Sequence, residues 1–247
     1  MTNPATDHVP RHAMVLAAGL GLRMRPLTDN LPKPLVRLAG RTLLDRALDH
    51  LAAAGVGTAV VNSHYLPHMI ADHLASRAAP AITVSPEAEL LETGGGVAAA
   101  LHRLGEQAFY VVNADIAWLD GTRPALLRLA DGWRDDEMDA LLLLHPTGQA
   151  PGFDGAGDFF LEAGGTLRRR SDAATAPLVF TGIQLLHPRL FAGAPGGAFS
   201  LNLLYDRALA ERRLFGLVHD GDWFHVGTPP ALALAEGRLA DTELCTG

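Results

Sequence analysis

Apolar positions along this chain fall into two rhythms, and their alternation sets the architecture. Met14-Val15-Leu16, flanked by Ala13 and Ala17, is a short continuous apolar run that predicts a buried strand. Leu44, Ala47, Leu48 and Leu51 recur at helical spacing and predict a helix over 43–54, with Gly55 as its stop. Further strands are expected at 58–62, 81–85 and 109–113, with helices at 68–77 and from Glu92 to about 104. The second half predicts a helix at 123–129, a strand at 139–145 and a hairpin of 159–161 with 166–170 turning at Gly164-Gly165. A strand at 178–186, a helix at 202–211, strands at 214–219 and 223–226 and a helix at 230–239 complete the series. Strands alternating with helices predict an α/β protein with a doubly wound, mainly parallel sheet and a β-rich second lobe. Ligands gather beyond the C-terminal strand ends of such sheets. Residues 1–11 read as a loose leader.

Two features sit at those strand ends. The first strand runs into Leu16-Ala17-Ala18-Gly19-Leu20-Gly21-Leu22-Arg23-Met24-Arg25-Pro26-Leu27-Thr28, followed by Pro32-Lys33-Pro34-Leu35. Gly19 and Gly21 let the backbone bend and bring N–H groups close to a ligand, and a row of such groups makes an anion-binding concavity. Arg23, Arg25 and Lys33 add cations within reach, and the prolines hold Lys33 on a stiff segment. No G-K-[ST] follows, so the loop is not a Walker A loop. Arg25 and Pro26 stand where the helix of a dinucleotide fingerprint would begin, so it is not that either. Asp115, the second feature, follows an apolar run that delivers its carboxylate to a strand end.

With P-K-P-L after it, L-A-A-G-x-G-x-R-M-R-P-L-T resembles the sugar-1-phosphate nucleotidyltransferase family, and the resemblance extends over most of the chain. It implies a Rossmann-like nucleotidyltransferase fold and transfer of a nucleoside monophosphate from an NTP to a sugar 1-phosphate, with Mg²⁺ and release of pyrophosphate. By the same resemblance Arg23 grips the triphosphate and Lys33 lies near the transferred α-phosphate. The resemblance also implies that Leu16, Ala17, Ala18, Gly19, Gly21 and Asn113 line the nucleotide site. There are no hexapeptide repeats, so the β-helix extension of some members is not expected. One domain is expected, with a nucleotide-binding half at about 13–120 and a sugar-binding half at about 121–240.

Asn113-Ala114-Asp115-Ile116 stands where members show Asn-Gly-Asp, which makes Asp115 a candidate metal ligand; a capping role is the plainer alternative. Members also end in W-x-D-V-G-T, where this chain has Trp223-Phe224-His225-Val226-Gly227-Thr228. His225 thus replaces a carboxylate with a softer ligand, better suited to Zn²⁺, Ni²⁺ or Mn²⁺ than to Mg²⁺. It could bind metal directly, hold a metal-bound water, or leave the task to Asp222. Because residues three apart point to opposite faces of a strand, His225 is favoured over Asp222.

Glu92-Thr93-Gly94-Gly95-Gly96 is a second glycine-rich turn. Thr93 could cap a helix starting near Val97. Three successive glycines instead suggest close approach of the backbone to a flat ligand, with Glu92, Thr93, Gly94 and Gly95 facing the nucleotide. The run is similar to that of uridylyltransferases acting on N-acetylmuramate 1-phosphate in peptidoglycan recycling, whereas mannose-1-phosphate guanylyltransferases show L-G-T-A-G. UTP is therefore the expected donor. By the same resemblance Asp158, Glu162, Thr181, Gly182 and Asn202 lie on the sugar side.

Composition narrows the alternatives. A net charge of −7 over 247 residues argues against a nucleic-acid partner, and the absence of a long apolar run argues against a membrane span. The single Cys245 forms no internal disulfide and, with no signal-peptide pattern, fits a cytoplasmic protein. Monomer and dimer remain open. A guanylyltransferase and a non-catalytic nucleotide-sugar sensor are the rival readings.

Overall fold

In the computed structural model, residues 9–245 are described, with side chains to residue 240. Most of the expected leader, residues 1–8, and the Cys245 side chain lie outside that range.

Strand β1 (His12–Leu16) sits mid-sheet and pairs in parallel with β4 (Thr58–Ser63) on one side and β6 (Phe109–Asn113) on the other. Beyond β4 lies β5 (Ala81–Pro86), also parallel. Beyond β6 the sheet turns antiparallel through β11 (Leu178–Leu186), which pairs with β8 (Ala140–Pro146) and touches β9 (Phe159–Leu161). β12 (Leu214–Val218) joins β8 in parallel, and β10 (Leu167–Arg169) closes a hairpin with β9. The nine-stranded sheet therefore draws on both halves of the chain. The expected α/β architecture is observed, its hairpin included.

Alternation along β1 explains why both faces are covered. Ala13 and Val15 pack into one apolar cluster with α1 (Leu43–Ala53), α2 (Pro67–Leu74) and α4 (Ala125–Gly132). Met14 faces the other cluster with α3 (Glu92–Ala100) and α5 (Asn202–Ala210). Thr42 caps α1, its hydroxyl oxygen accepting from Asp45 N at 3.0 Å.

Two small ribbons add strands that the sequence did not predict, β2, β3 and β7, and give the expected strand at 223–226 a partner. β2 (Arg37–Leu38) pairs with β3 (Arg41–Thr42), and β7 (Ile116–Trp118) pairs antiparallel with β13 (Trp223–His225). A third apolar cluster holds both ribbons against α6 (Pro229–Cys245) through Leu38, Ala117, Phe224, Val226 and Ala235. Among the described residues no helix is long and apolar enough to cross a membrane.

Candidate active site

β1 ends at Leu16, and the chain leaves the sheet through Ala17, whose N–H donates to Asn62 Oδ1 at 2.7 Å. Gly21 adopts φ +63°, opening a short turn in which its carbonyl accepts from Met24 N at 2.9 Å and from the Thr28 hydroxyl at 2.8 Å. A Cβ at Gly21 would lie 2.9 Å from Lys33 Cβ, so only glycine fits there on both counts. Gly19 differs: a Cβ there would meet nothing within 4 Å and would project into open space. Met24 is buried as the loop's anchor and leaves Arg23 exposed on the opposite side.

Lys33 begins a short helical turn after Pro32 and is almost wholly buried. Its ammonium donates to Asp115 Oδ2 at 2.8 Å. Asp115 follows β6 after one residue, Ala114, whose N–H donates to Leu16 O at 3.0 Å and keeps the acidic turn beside the glycine loop. The chain then enters β7. The β7–β13 ribbon pairs His225 with Ile116, one residue on from Asp115. The Asp115 carboxylate acts on the imidazole electrostatically, but His225 does not itself line the cavity that these segments enclose. Asp222 lies at the other end of the ribbon, its carbonyl accepting from Leu119 N at 2.9 Å. Gly227 leaves room for the ring, since a Cβ there would sit 2.5 Å from His225 Nε2. Burial lowers the pKa of His225; the Asp115 carboxylate pulls the other way, while Lys33 and Arg23 add to the lowering.

These segments enclose a cavity of about 480 Å³. Leu16, Ala17, Ala18, Gly19, Gly21, Arg23, Lys33, Glu92, Thr93, Asn113 and Asp115 all line it, so residues from 16 to 115 in the sequence share one space. Glu92 reaches the wall from a left-handed backbone, φ +58°. Asn62, Leu90 and Gly227 also line the cavity and were not anticipated. Asn62 carried a signal, as a polar residue near the end of a buried parallel strand, where ligands gather.

The glycine run needs a correction. Helix α3 begins at Glu92, so Thr93 is inside it rather than capping a helix at Val97; its hydroxyl oxygen instead accepts from Leu201 N at 2.9 Å. Gly94 and Gly95 do not line the cavity. Their N–H groups donate to Phe199 O at 2.8 and 3.1 Å, and side chains there would overlap Phe199 and Gly197 O. The glycines give way to protein, not to a flat ligand.

None of the five residues expected on the sugar side lines this cavity. Thr181 is buried and its hydroxyl donates to Leu143 O at 2.8 Å, which engages it in the sheet. Asp158 Oδ2 accepts from Phe180 N at 2.9 Å, Glu162 pairs with Arg168 on the exposed hairpin, and Asn202 Oδ1 accepts from Arg169. Gly182, at φ +85°, leaves space for Asn113, whose Nδ2 a Cβ there would approach to 2.8 Å. It is the member of the set that abuts the cavity wall.

A glycine-rich loop and a cation–carboxylate pair at the C-terminal edge of a doubly wound sheet fit a nucleotide-transferring α/β enzyme. The chain belongs to the MobA-like NTP transferase domain family, whose model matches residues 13–214, and within it to the sugar-1-phosphate nucleotidyltransferases. It is 45% identical to an N-acetylmuramate α-1-phosphate uridylyltransferase of Caulobacter vibrioides, over 95% of this chain and 99% of that one. A second such enzyme, from Neisseria meningitidis, is 36% identical over 87% of this chain and 93% of that one. Mannose-1-phosphate guanylyltransferases are more distant; one from Mycobacterium tuberculosis is 32% identical over 57% of this chain and 39% of that one. Among solved structures, HddC from Yersinia pseudotuberculosis complexed with GMP-PN superposes with a TM-score of 0.75 at 18% identity, over 93% of this chain and 99% of that one. At that identity it supports the fold.

Proposed function

We propose that this protein transfers UMP from UTP to N-acetylmuramate 1-phosphate and releases pyrophosphate, a cytoplasmic step of peptidoglycan recycling. The observation that carries the reaction class is the meeting of the Gly19–Gly21 loop, Arg23, Lys33 and Asp115 in one cavity. The base and sugar are supported by the likeness, over almost the whole of both chains, to the Caulobacter vibrioides enzyme.

In the proposed reaction an oxygen of the sugar phosphate bonds to the α-phosphorus of UTP while the bond from that phosphorus to the bridging oxygen breaks. Pyrophosphate leaves with the electron pair. The attacking phosphate is already ionised at neutral pH, so no protein base is required. Arg23 and the loop N–H groups hold the leaving phosphates, and Lys33 balances charge on the transferred one. Catalysis is then positioning plus electrostatics, as in other phosphoryl transfers.

The donor set also fits a divalent ion. Among the described residues no three His, Cys, Asp or Glu side chains converge to form a complete metal cage. One carboxylate and one imidazole, Asp115 and His225, suit an ion whose remaining ligands are phosphate oxygens and water. Asp115, with His225 from the neighbouring ribbon, would hold a divalent ion, Mg²⁺ or Mn²⁺, which would supply further charge neutralisation at the phosphates.

Pyrophosphate release tests the proposal, with UTP and GTP each paired with N-acetylmuramate, N-acetylglucosamine, glucose and mannose 1-phosphates. Turnover is expected with UTP and the muramate sugar. Turnover confined to GTP and mannose 1-phosphate would replace this assignment with a guanylyltransferase, and nucleotide binding without turnover in any pair would replace it with a sensor.

A further inference from the structure

Asn62 is 2% exposed, lines the cavity and uses both ends of its amide. Its Oδ1 accepts from Ala17 N at 2.7 Å, where the glycine loop leaves β1. Its Nδ2 donates to Glu87 Oε1 at 2.7 Å. The other carboxylate oxygen, Glu87 Oε2, accepts from Leu91 N at 3.0 Å, next to Glu92 and Thr93 on the far wall. Glu87 is itself held by the backbone, its N–H donating to Ser63 O at 2.7 Å and its carbonyl lying 3.0 Å from His64 Nδ1. A continuous path thus runs from the start of the glycine loop to the start of α3.

We infer that Asn62 and Glu87 are positioning residues that lock the phosphate side of the cavity to its opposite wall, so that disturbing one wall loosens the other. The inference rests on the reading that the loop after β1 takes phosphates. Three observations support it beyond the distances. Backbone pairing already holds β1 to β4 as far as Val15 and Val61, so the fold does not need the side-chain path; what it adds lies past the strand ends, at the cavity. The path demands an acceptor at one end of residue 62 and a donor at the other, which asparagine supplies and aspartate or leucine does not. Gly96, the last of the glycine run, clears its course: a Cβ there would be 2.8 Å from Asn62 Nδ2 and 3.0 Å from Glu87 Oε1. Neutral donors on a carboxylate make the stronger class of hydrogen bond, so the lock is stiff.

Glu87→Gln tests this while preserving volume. The glutamine oxygen can accept from Asn62 or from Leu91 N, and its NH₂ faces whichever donor remains. Inorganic pyrophosphate is the probe for the loop, since it carries neither base nor sugar. Glu87→Gln is expected to weaken pyrophosphate binding about tenfold, the scale of losing one hydrogen bond to a charged group. It does so although the hydrogen bonds of residue 87 go to β4, His64 and Leu91 rather than to the loop. The KM for UTP should rise with it, while the KM for the sugar phosphate stays put and the melting temperature falls by only a few degrees. Asn62→Asp, which sets two carboxylates against each other, should act in the same direction. Unchanged pyrophosphate binding in both variants would overturn the inference, as would equal rises in both KM values. Failure of the wild-type protein to bind pyrophosphate would overturn the phosphate-loop reading and this inference together, and is distinguishable because it appears before any substitution.

Discussion

Lys33 Nζ donates to Asp115 Oδ2 across 2.8 Å, joining segments 82 residues apart in the sequence. The lysine side chain is 9% exposed and the carboxylate 36%. Removing the carboxylate therefore strands a nearly buried ammonium. Asp115→Ala is expected to lower stability by about 1–2 kcal/mol, less than for a fully buried pair because water reaches the carboxylate. Lys33→Met in the same background should restore most of that loss in urea unfolding. Neither variant should recover turnover, since the charge lost is the charge proposed to act; an active Asp115→Ala protein would remove the metal assignment.

Gly19 and Gly21 are two residues apart, yet they are expected to respond to alanine in opposite ways. At Gly21 the backbone is left-handed and the new methyl would press on Lys33 Cβ at 2.9 Å. Gly21→Ala should lose about 1–3 kcal/mol and most activity together. At Gly19 the methyl meets no protein atom within 4 Å. Gly19→Ala should leave stability within about 0.5 kcal/mol and raise the KM for nucleotide, because the methyl fills ligand space. Paired thermal melts and steady-state kinetics separate the two effects.

The parallel half of the sheet was legible because its strands are apolar runs set between amphipathic helices, as at Ala13–Ala17 and Leu44–Leu51. The glycine loop and Asp115 were legible because their residue types state their chemistry. What stayed hidden depends on pairing at a distance. β7 is three residues long and has no period of its own to detect, yet its register with β13 is what pairs His225 with Ile116, next to Asp115. A run of glycines says that space is needed, not what fills it, and Phe199 lies about a hundred residues downstream of Gly94. Thr181 and Asp158 are polar and plausible as ligands, but Leu143 O and Phe180 N engage them within the sheet. Asn62 looks like an ordinary strand-end residue until Ala17 and Glu87 are placed on either side of it.

Histidine burial sets an acid limit on stability. Burial is the largest cause lowering the pKa values of His145, His187 and His219, and each is held below the ordinary histidine value. His219 Nδ1 is in addition buried with no hydrogen-bond partner among the described residues. For groups whose folded pKa is depressed in this way, the unfolded chain takes up protons first as pH falls through about 6.5. Their contribution is therefore complete above that pH and is lost below it. The melting temperature is expected to hold between pH 7 and 8 and to fall steadily from pH 6.5 to 5. His219→Gln should flatten that slope; an unchanged slope would assign acid sensitivity to other groups.

His225 makes a prediction about metal choice. Its backbone is paired with Ile116, next to Asp115 in the chain, and burial lowers its pKa, favouring the neutral ring that ligation requires. Neutral imidazole suits Mn²⁺ better than Mg²⁺, which favours hard oxygen donors. The wild-type protein should therefore work with Mn²⁺ at least as well as with Mg²⁺, and a chelator should abolish turnover with either. His225→Asp supplies a second carboxylate on the same ribbon and should raise the ratio of Mg²⁺- to Mn²⁺-supported kcat/KM by about tenfold, the effect of roughly 1.4 kcal/mol in relative transition-state stabilisation. His225→Ala separates direct ligation from a role through a bound water: losing a ligand weakens Mn²⁺ binding measured in the presence of UTP, whereas a water-mediated contact leaves it nearly unchanged. A Mg²⁺ to Mn²⁺ ratio identical in wild type and His225→Asp would mean that the imidazole does not reach the ion and that Asp115 holds it with the phosphates alone.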